Sequence, residues 1–577
     1  MATQNNNKLD NLSPEKRALV EKLLAKKKQQ KLAQIQASKI TVPDRMRTKG
    51  RLSFAQQRLW LLDQLEGGSA HYNIPSALHI QGKLDLEALK SAFIQIIDRH
   101  SVLRTQYVKQ GDDAQQVVVP MPVEFCFEVI DRKQKLAQVI KECGIEAAMS
   151  TVRAELELRT EYVFDLERDT SLRCHLWQLD EDNTVLLILV HHIAADGWSM
   201  EVLTDELNQL YRQSAIGAKH RLKPIDVQYL DYAQWQHEYL RGDVLERQLT
   251  YWQKQLANMP SIHNLLLDRA RPSLPSYQGD TITTHISMNF ASSFKTLCNE
   301  YDATLFMGVY GALSVLLSRY SGEQDIVIGT TAANRDQTQV ENLIGFFVNM
   351  LVLRQQHDDQ ANFIDILTQS KRIALDAFNH QQTPFEKVVE RINPARDISY
   401  HPMFQVMLAV QNNQSSDLDL DGLSFSDVEI KSNNAKFDLS LNVEENESGL
   451  SLSWEYSTDL FNRASIENLA NSFTLLLEAM TENPERCAFS VPLVDSKTRE
   501  TELYAHNQTK QDYPKDKSVA DLFEAQAVLT PDAPAATFNG ETLSYRELNK
   551  RANALAHELQ SRGVGSDDLV GVHQERS

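Results

Sequence analysis

The feature that most constrains this chain is Thr184 to Val190, an unbroken apolar run, Thr-Val-Leu-Leu-Ile-Leu-Val, that ends on two histidines. A run of this kind, without polar alternation, suits a strand buried on both faces. The pattern around it is mixed α/β from Arg51 onward. Helices are predicted over Leu86–Arg99, Ser199–Tyr211, Leu305–Tyr320 (stopped by Gly322) and Phe363–Asn379, with a short strand over Asp325–Gly329. The alternation continues to about Asn483, with no internal repeat and no low-complexity tract.

At 577 residues the chain is too long for one compact domain. Its formal net charge of −19 argues against non-specific nucleic-acid binding. The five cysteines form no Cys-x-x-Cys pair, so neither a disulfide framework nor a zinc cluster is expected, and reduced thiols fit a cytoplasmic location. The N-terminus has no signal-peptide core. No apolar run approaches the roughly 20 residues that a membrane helix needs, so no membrane partner is expected.

The string His191-His192-Ile193-Ala194-Ala195-Asp196-Gly197-Trp198-Ser199 follows directly on the buried run. Side chains alternate across a strand, so His191 and His192 should face opposite ways. Asp196-Gly197 is turn chemistry leading into the next helix. An imidazole with a pKa near ~6.5 can accept a proton close to neutrality, which makes the site a candidate for general-base chemistry. A structural histidine pair is the bland alternative. A metal site is a third, weakened by the divergence of adjacent side chains and by the lack of a third ligand at helical spacing.

The string resembles the His-His-x-x-x-Asp-Gly signature of nonribosomal peptide synthetase condensation domains, and its His192-x-x-x-Asp196 core resembles that of the wider chloramphenicol-acetyltransferase-like acyltransferases. Other motifs similar to that family's stand in order: Ser53-Phe54-Ala55-Gln56-Gln57-Arg58-Leu59-Trp60, Arg99 to Thr105, Tyr229 to Trp235, Ile344 to Asn349, His380 to Glu386, and Arg396 to Gln405. The resemblance covers roughly Arg51 to Pro492. It implies two chloramphenicol-acetyltransferase-like lobes in a V, the first over residues 51–223 and the second over 224–492, with the active site in a tunnel between them. Upstream donor and downstream acceptor carrier domains would be the partners. Their phosphopantetheine arms would bring the thioesters, and the chain itself would bind no cofactor and no metal.

The implied reaction is attack of an acceptor amine on a donor thioester, with His192 as base or hydrogen-bond partner. Gly197 is expected to offer its backbone N–H to the oxyanion. Asp196 is expected to orient the loop through an ion pair with Arg335, or with Arg104 as second choice. His191 is counted with His192, Asp196 and Gly197 in the catalytic string, as a packed, hydrogen-bonded member of it; Trp198, Tyr229, Asp231 and Trp235 are read as packing, and Asn349 as lining the tunnel. The residues after Asp196-Gly197 and the first motif resemble domains that join two L residues. Met350 departs from the threonine common in the family. An epimerisation domain of the same fold and a non-catalytic carrier-docking module are the competing readings.

The two ends read differently. Ser13-Pro14, an apolar stripe at Leu19, Val20, Leu23 and Leu24, and Lys26 to Lys31 predict a docking or linker helix within residues 1–50. Residues 493–517 read as a linker. Residues 518–577 resemble the start of an adenylation domain: Ser544-x-x-Glu547 is a capping box, Leu548, Ala552, Leu555 and Leu559 share a helix face, Gly563 closes it, and Leu569–Val572 is expected to be a strand. The phosphate loop and catalytic lysine of that family would lie beyond Ser577. The chain is thus expected to be a fragment or truncated product that does not itself activate amino acids.

Overall fold

The computed structural model describes residues 39–40, 47–111, 113–217, 222–395, 397–411, 422–428, 430 and 434–574. The helix expected after Ser13 lies outside the described residues. The chain divides into two compact units, residues 1–494 and 495–577.

The first half of the larger unit carries α1 (Phe54–Glu66), β1 (Asn73–Gln81), α2 (Leu86–Arg99), β2 (Cys126–Asp131), β3 (Leu172–Gln178), β4 (Asn183–His191), α3 (Gly197–Ile216) and α4 (Tyr229–Tyr239). β4 is the apolar run, buried from Thr184 to His191. It lies in the middle of its sheet, antiparallel to β1 on one side and β3 on the other, while β2 pairs parallel with β3. The helix α2 shows why this sheet is covered. Its buried residues Ala88, Leu89, Ala92, Phe93, Ile96 and Ile97 recur at helical spacing and present one apolar stripe. Asp85 caps its first turn by accepting the Ala88 N–H.

The second half carries β5 (Gly279–Ser287), α5 (Met288–Glu300), α6 (Leu305–Ser321), β6 (Asp325–Ala332), β7 (Asn349–Gln356), α7 (Phe363–Asn379), α8 (Phe385–Ile392), β8 (Val406–Gln411), β9 (Ser424–Asp427), β10 (Leu439–Asn446), β11 (Gly449–Ser457) and α9 (Arg463–Glu482). Its six-stranded sheet runs β7-β6-β8-β10-β11-β5. α6 is buried over most of its length, and Gly322 ends it in the left-handed conformation, φ 72°. Two glycines let α6 sit this deep. A Cβ at Gly308 would stand 2.5 Å from Cys298 Sγ, and one at Gly311 2.8 Å from Ser370 Oγ.

The expected split at 223/224 is not followed by every element. β9 leaves the second half and pairs antiparallel with β1, extending the first sheet by one strand. The α4 residues Tyr229 and Tyr232 and the loop residues Val340, Leu343, Ile344, Phe346 and Phe347 pack into the first half's core. The reason is apolar surface. These side chains are nearly fully buried there, and the β1 edge gains hydrogen-bond partners it otherwise lacks.

The smaller unit has helices Val519–Leu529 and Tyr545–Ser561 and a hairpin of Pro534–Phe538 with Glu541–Ser544. The Ser544–Glu547 capping box is formed. The strand expected over Leu569–Val572 is not: those residues are irregular, and Leu569 and Val572 are exposed. A strand needs a neighbour to take its N–H and C=O groups, and none of the unit's described strands pairs with this segment. Among the described residues no single helix is long and apolar enough to cross a membrane.

Candidate active site

The site begins where β4 ends. The ladder closes with His191 opposite Asn73, and the next residue, His192, donates its backbone N–H to the Tyr72 carbonyl at 2.8 Å. The two histidines then diverge. His191 is 1% exposed, its Nδ1 accepts the Ile193 N–H at 3.2 Å, and its ring meets the Phe164 ring edge-on. Burial pushes its pKa down to about 3, helped by His192 and Lys436. It is sealed within the first half, so it does not reach a substrate.

His192 is only partly buried. Its Nδ1 lies 3.0 Å from the Ala195 carbonyl. A carbonyl only accepts, so Nδ1 carries the proton and the neutral ring keeps its Nε2 lone pair free. Phe346 flanks the ring at 5.4 Å between centroids. Burial, then the Lys436 charge, push the imidazole's pKa down to about 3. The ring is therefore neutral at physiological pH.

Asp196 is fully buried and caps α3, which begins at Gly197, two residues ahead of the predicted start. Its Oδ1 accepts the Ser199 N–H (2.9 Å), the Ser199 hydroxyl (2.7 Å) and Arg335 Nη2 (3.0 Å), and its Oδ2 accepts the Phe347 N–H at 3.0 Å. Arg335 also donates to the Val340 and Leu343 carbonyls, both at 2.6 Å, with its guanidinium 4.2 Å from the Phe347 ring centroid. This knot ties the histidine loop to the 340–347 loop. Gly197 stands at its solvent side, where an added Cβ would meet nothing within 4 Å.

Two expectations, Arg104 and Trp198, need correction. Arg104 does not approach Asp196. It donates to the carbonyls of Ile97, Asp98 and Val119, two of which are unpaired acceptors at the end of α2. Trp198 is not packed away: it is 37% exposed and donates its indole N–H to the Glu341 carbonyl. Asn349 borders a small pocket with Phe54, Phe346 and Glu386. Its amide is committed to the chain, donating to the Gln381 and Thr383 carbonyls and accepting the Phe385 N–H.

The first motif supports the loop from behind. Gln56 Nε2 donates to the Ile193 carbonyl at 3.0 Å and to Tyr107. Ser53 meets the Tyr229 hydroxyl at 2.9 Å, which in turn donates to the Phe346 carbonyl. Tyr229 is thereby placed in the core, as is Tyr232, while Trp235 stacks on Tyr239. Asp231 accepts the Gln228 N–H at the start of α4.

Charged residues from both halves surround His192, two of them within the quoted motifs and one, Lys436, outside any motif. Arg58 pairs with Glu386 of the second half at 3.3 Å. The Lys436 ammonium lies 5.1 Å from the centroid of the Tyr72 ring in the first half. The His71 and Tyr277 rings also meet across the halves, at 5.3 Å. Lys436 is exposed, yet desolvation by surrounding protein lowers its pKa. Both hold for a side chain in an open space walled by protein. Glu386 and Glu455 show the same combination: both are partly exposed, with pKa values raised by desolvation. Lys436 follows no motif, and only its position in three dimensions brings it near the histidines. Among the described residues no group of three or more His, Cys, Asp or Glu side chains forms a metal cage.

The geometry can be set beside known proteins. A condensation-domain model matches residues 46–502, and an AMP-binding-enzyme model matches residues 523–577. Malpinin synthetase of Mortierella alpina is 38% identical over 554 residues, which are 96% of this chain and 7% of that protein. Bacitracin synthase 1 of Bacillus licheniformis is 35% identical over 528 residues, 91% of this chain and 10% of that protein. The chain thus spans a tenth or less of the length of these relatives. Among solved structures, the X-domain from teicoplanin biosynthesis is 28% identical with a TM-score of 0.69, covering 79% of this chain and 99% of that one. A holo four-domain nonribosomal peptide synthetase bound to AMP and glycine, 22% identical, shares the fold with a TM-score of 0.78 over 90% of this chain and 39% of that one. With the mixed α/β architecture and the His192 loop in place, the chain belongs to the condensation-domain family of nonribosomal peptide synthetases and runs on into the start of an AMP-binding domain.

Proposed function

We propose that residues 46–502 form an active condensation domain that joins a donor acyl or peptidyl thioester to an acceptor aminoacyl thioester, both carried on phosphopantetheine arms of partner carrier domains and both contributing L residues. The observation that carries this reading is the His192 ring: Nδ1 held by the Ala195 carbonyl, Nε2 left as an acceptor, and the residue partly open to solvent between the two halves. His191 is the contrasting case: its ring is 1% exposed and packs edge-on against Phe164 inside the first half.

The low pKa of His192 defines its role. A neutral imidazole whose conjugate acid has a pKa of about 3 is too weak a base to strip a proton from an α-ammonium, whose pKa is about 8. The acceptor must arrive as the free amine. Nε2 then accepts a hydrogen bond from that amine, and the amine nitrogen's own lone pair is directed at the thioester carbon. As the C–N bond forms, the amine N–H becomes strongly acidic and its proton passes to Nε2. The carbonyl oxygen takes the displaced electron pair, and the Gly197 N–H, at the positive end of α3, is the donor offered to it. The C–S bond then breaks, the oxyanion re-forms the carbonyl, and the departing thiolate takes the proton from His192. Asp196 and Arg335 hold the loop and stay outside this transfer.

The test supplies the chain with a donor and an acceptor carrier loaded with L-aminoacyl groups and analyses the acceptor-bound thioester by mass and stereochemistry. Dipeptidyl thioester with both centres L supports the proposal. Inversion of the donor's α-carbon without condensation would assign epimerisation. Carrier binding with no turnover would leave a docking module.

A further inference from the structure

We propose that Lys436 is a positioning residue of the reaction chamber: its ammonium, held across the cleft on the Tyr72 ring, excludes a second positive charge from the site, so that His192 and the acceptor amine meet as neutral partners.

The argument starts from position. Tyr72 serves both histidine and lysine. Its backbone carbonyl fixes the His192 N–H at 2.8 Å, and its ring holds the Lys436 ammonium at 5.1 Å from the centroid. A ring face attracts a cation and so confines it. Lys436 comes from the segment leading into β10, in the other half of the unit, so its charge is brought to the histidines only by the tertiary fold. The neighbouring elements are fixed as well. Asn434 bridges to Gln278, and a Cβ at Gly279 would stand 2.6 Å from Ala435 Cβ, so the segment is held close against β5.

Other titratable groups near the two histidines and Lys436 have partners of their own or are neutral. Arg58 is paired with Glu386 and lies over Phe385. The Glu455 charge favours the ammonium form of Lys436. His401 is held neutral by burial, and Asp438 is paired with Arg271 and His263. Both histidines of the loop feel Lys436 as a like charge when protonated. The same field acts on an α-ammonium brought beside Nε2. A like charge in a partly desolvated space favours the uncharged form of its neighbour, and the free amine is the nucleophile.

The inference rests on the proposed acceptor role of His192, and the experiment separates the two. Lys436→Met and Lys436→Arg are made in the full chain, with Lys436→Gln in reserve if the methionine variant melts early. His192 is followed in protein carrying ring-labelled histidine, its signal assigned by loss in His192→Gln. The single-turnover rate is followed from pH 6 to 9 with whichever pair of L-aminoacyl carriers gives product with the wild type. In Lys436→Met the His192 titration, the midpoint of the rising rate profile, or both should move to higher pH, and Lys436→Arg should restore the wild-type positions. A rate that falls equally at every pH, with neither titration moved, overturns the proposal and makes Lys436 a structural clamp. A midpoint that moves while His192→Ala turns over at the wild-type rate leaves Lys436 in its role and removes the imidazole from its own.

Discussion

At the scale of single residues, the loop is defined by which groups are paired. His191 and His192 are neighbours in sequence, yet one ring is enclosed and the other keeps a free nitrogen. Asp196 and Arg335 are a buried ion pair in which each partner has several further hydrogen bonds. Removing one member of such a pair strands the other charge in a low-dielectric interior, at a cost of about 3–5 kcal/mol. Asp196→Ala should therefore lower unfolding free energy by about that amount in denaturant titration, since it also removes the cap of α3. Adding Arg335→Leu should recover part of the loss. Additive losses from the two changes would contradict the coupling.

At the scale of elements, close backbone approaches set the geometry. Gly345 follows Ile344 in the loop that receives the Asp196 knot. A Cβ there would stand 2.1 Å from Tyr229 Cδ2, in a ring that is buried and hydrogen-bonded. Gly345→Ala should destabilise the larger unit by about 1–3 kcal/mol, the usual cost of overpacking, and displace Phe346 from the His192 ring. A wild-type melting temperature for this variant would show that the loop gives way freely. Much of this level is legible in the sequence. α2 and α7 begin and end where their apolar periodicity predicts, and β4 is visible as a run. β9 is not, because Ser-Phe-Ser-Asp has too little apolar alternation to mark a strand, and its partner β1 lies more than three hundred residues away. The Arg335 ion pair is legible only through the family resemblance. Arg104 is a false alternative because a helix end with open carbonyls attracts an arginine as well as a carboxylate does.

At the scale of the whole molecule, the larger unit has one core built within the second half and another to which the first half and the 340–347 loop both contribute, with a polar space at His192. Its stability should depend on acid in a definite way. Burial holds His191 and His192 down to about 3, and His357 and His401 down to about 4, while an unfolded histidine titrates near ~6.5. Between those values the unfolded chain binds protons that the native state refuses, so stability rises with pH across the window and is lost as pH falls below about 6.5. Urea midpoints measured from pH 7 to 5 should drop steadily, and His357→Leu should flatten the slope. A midpoint independent of pH would contradict these environments. In the smaller unit the helix Tyr545–Ser561 buries none of its residues, so the packing that would complete it is not provided by residues 495–577.

The most direct measurement of the central claim is the single-turnover rate of dipeptidyl thioester formation by the wild-type chain and by His192→Ala, with both carriers loaded and thermal melting recorded for each. A positioned proton acceptor of this kind contributes about 10²–10⁴-fold. The account predicts a loss in that range with melting unchanged. Equal rates for the two proteins would contradict it.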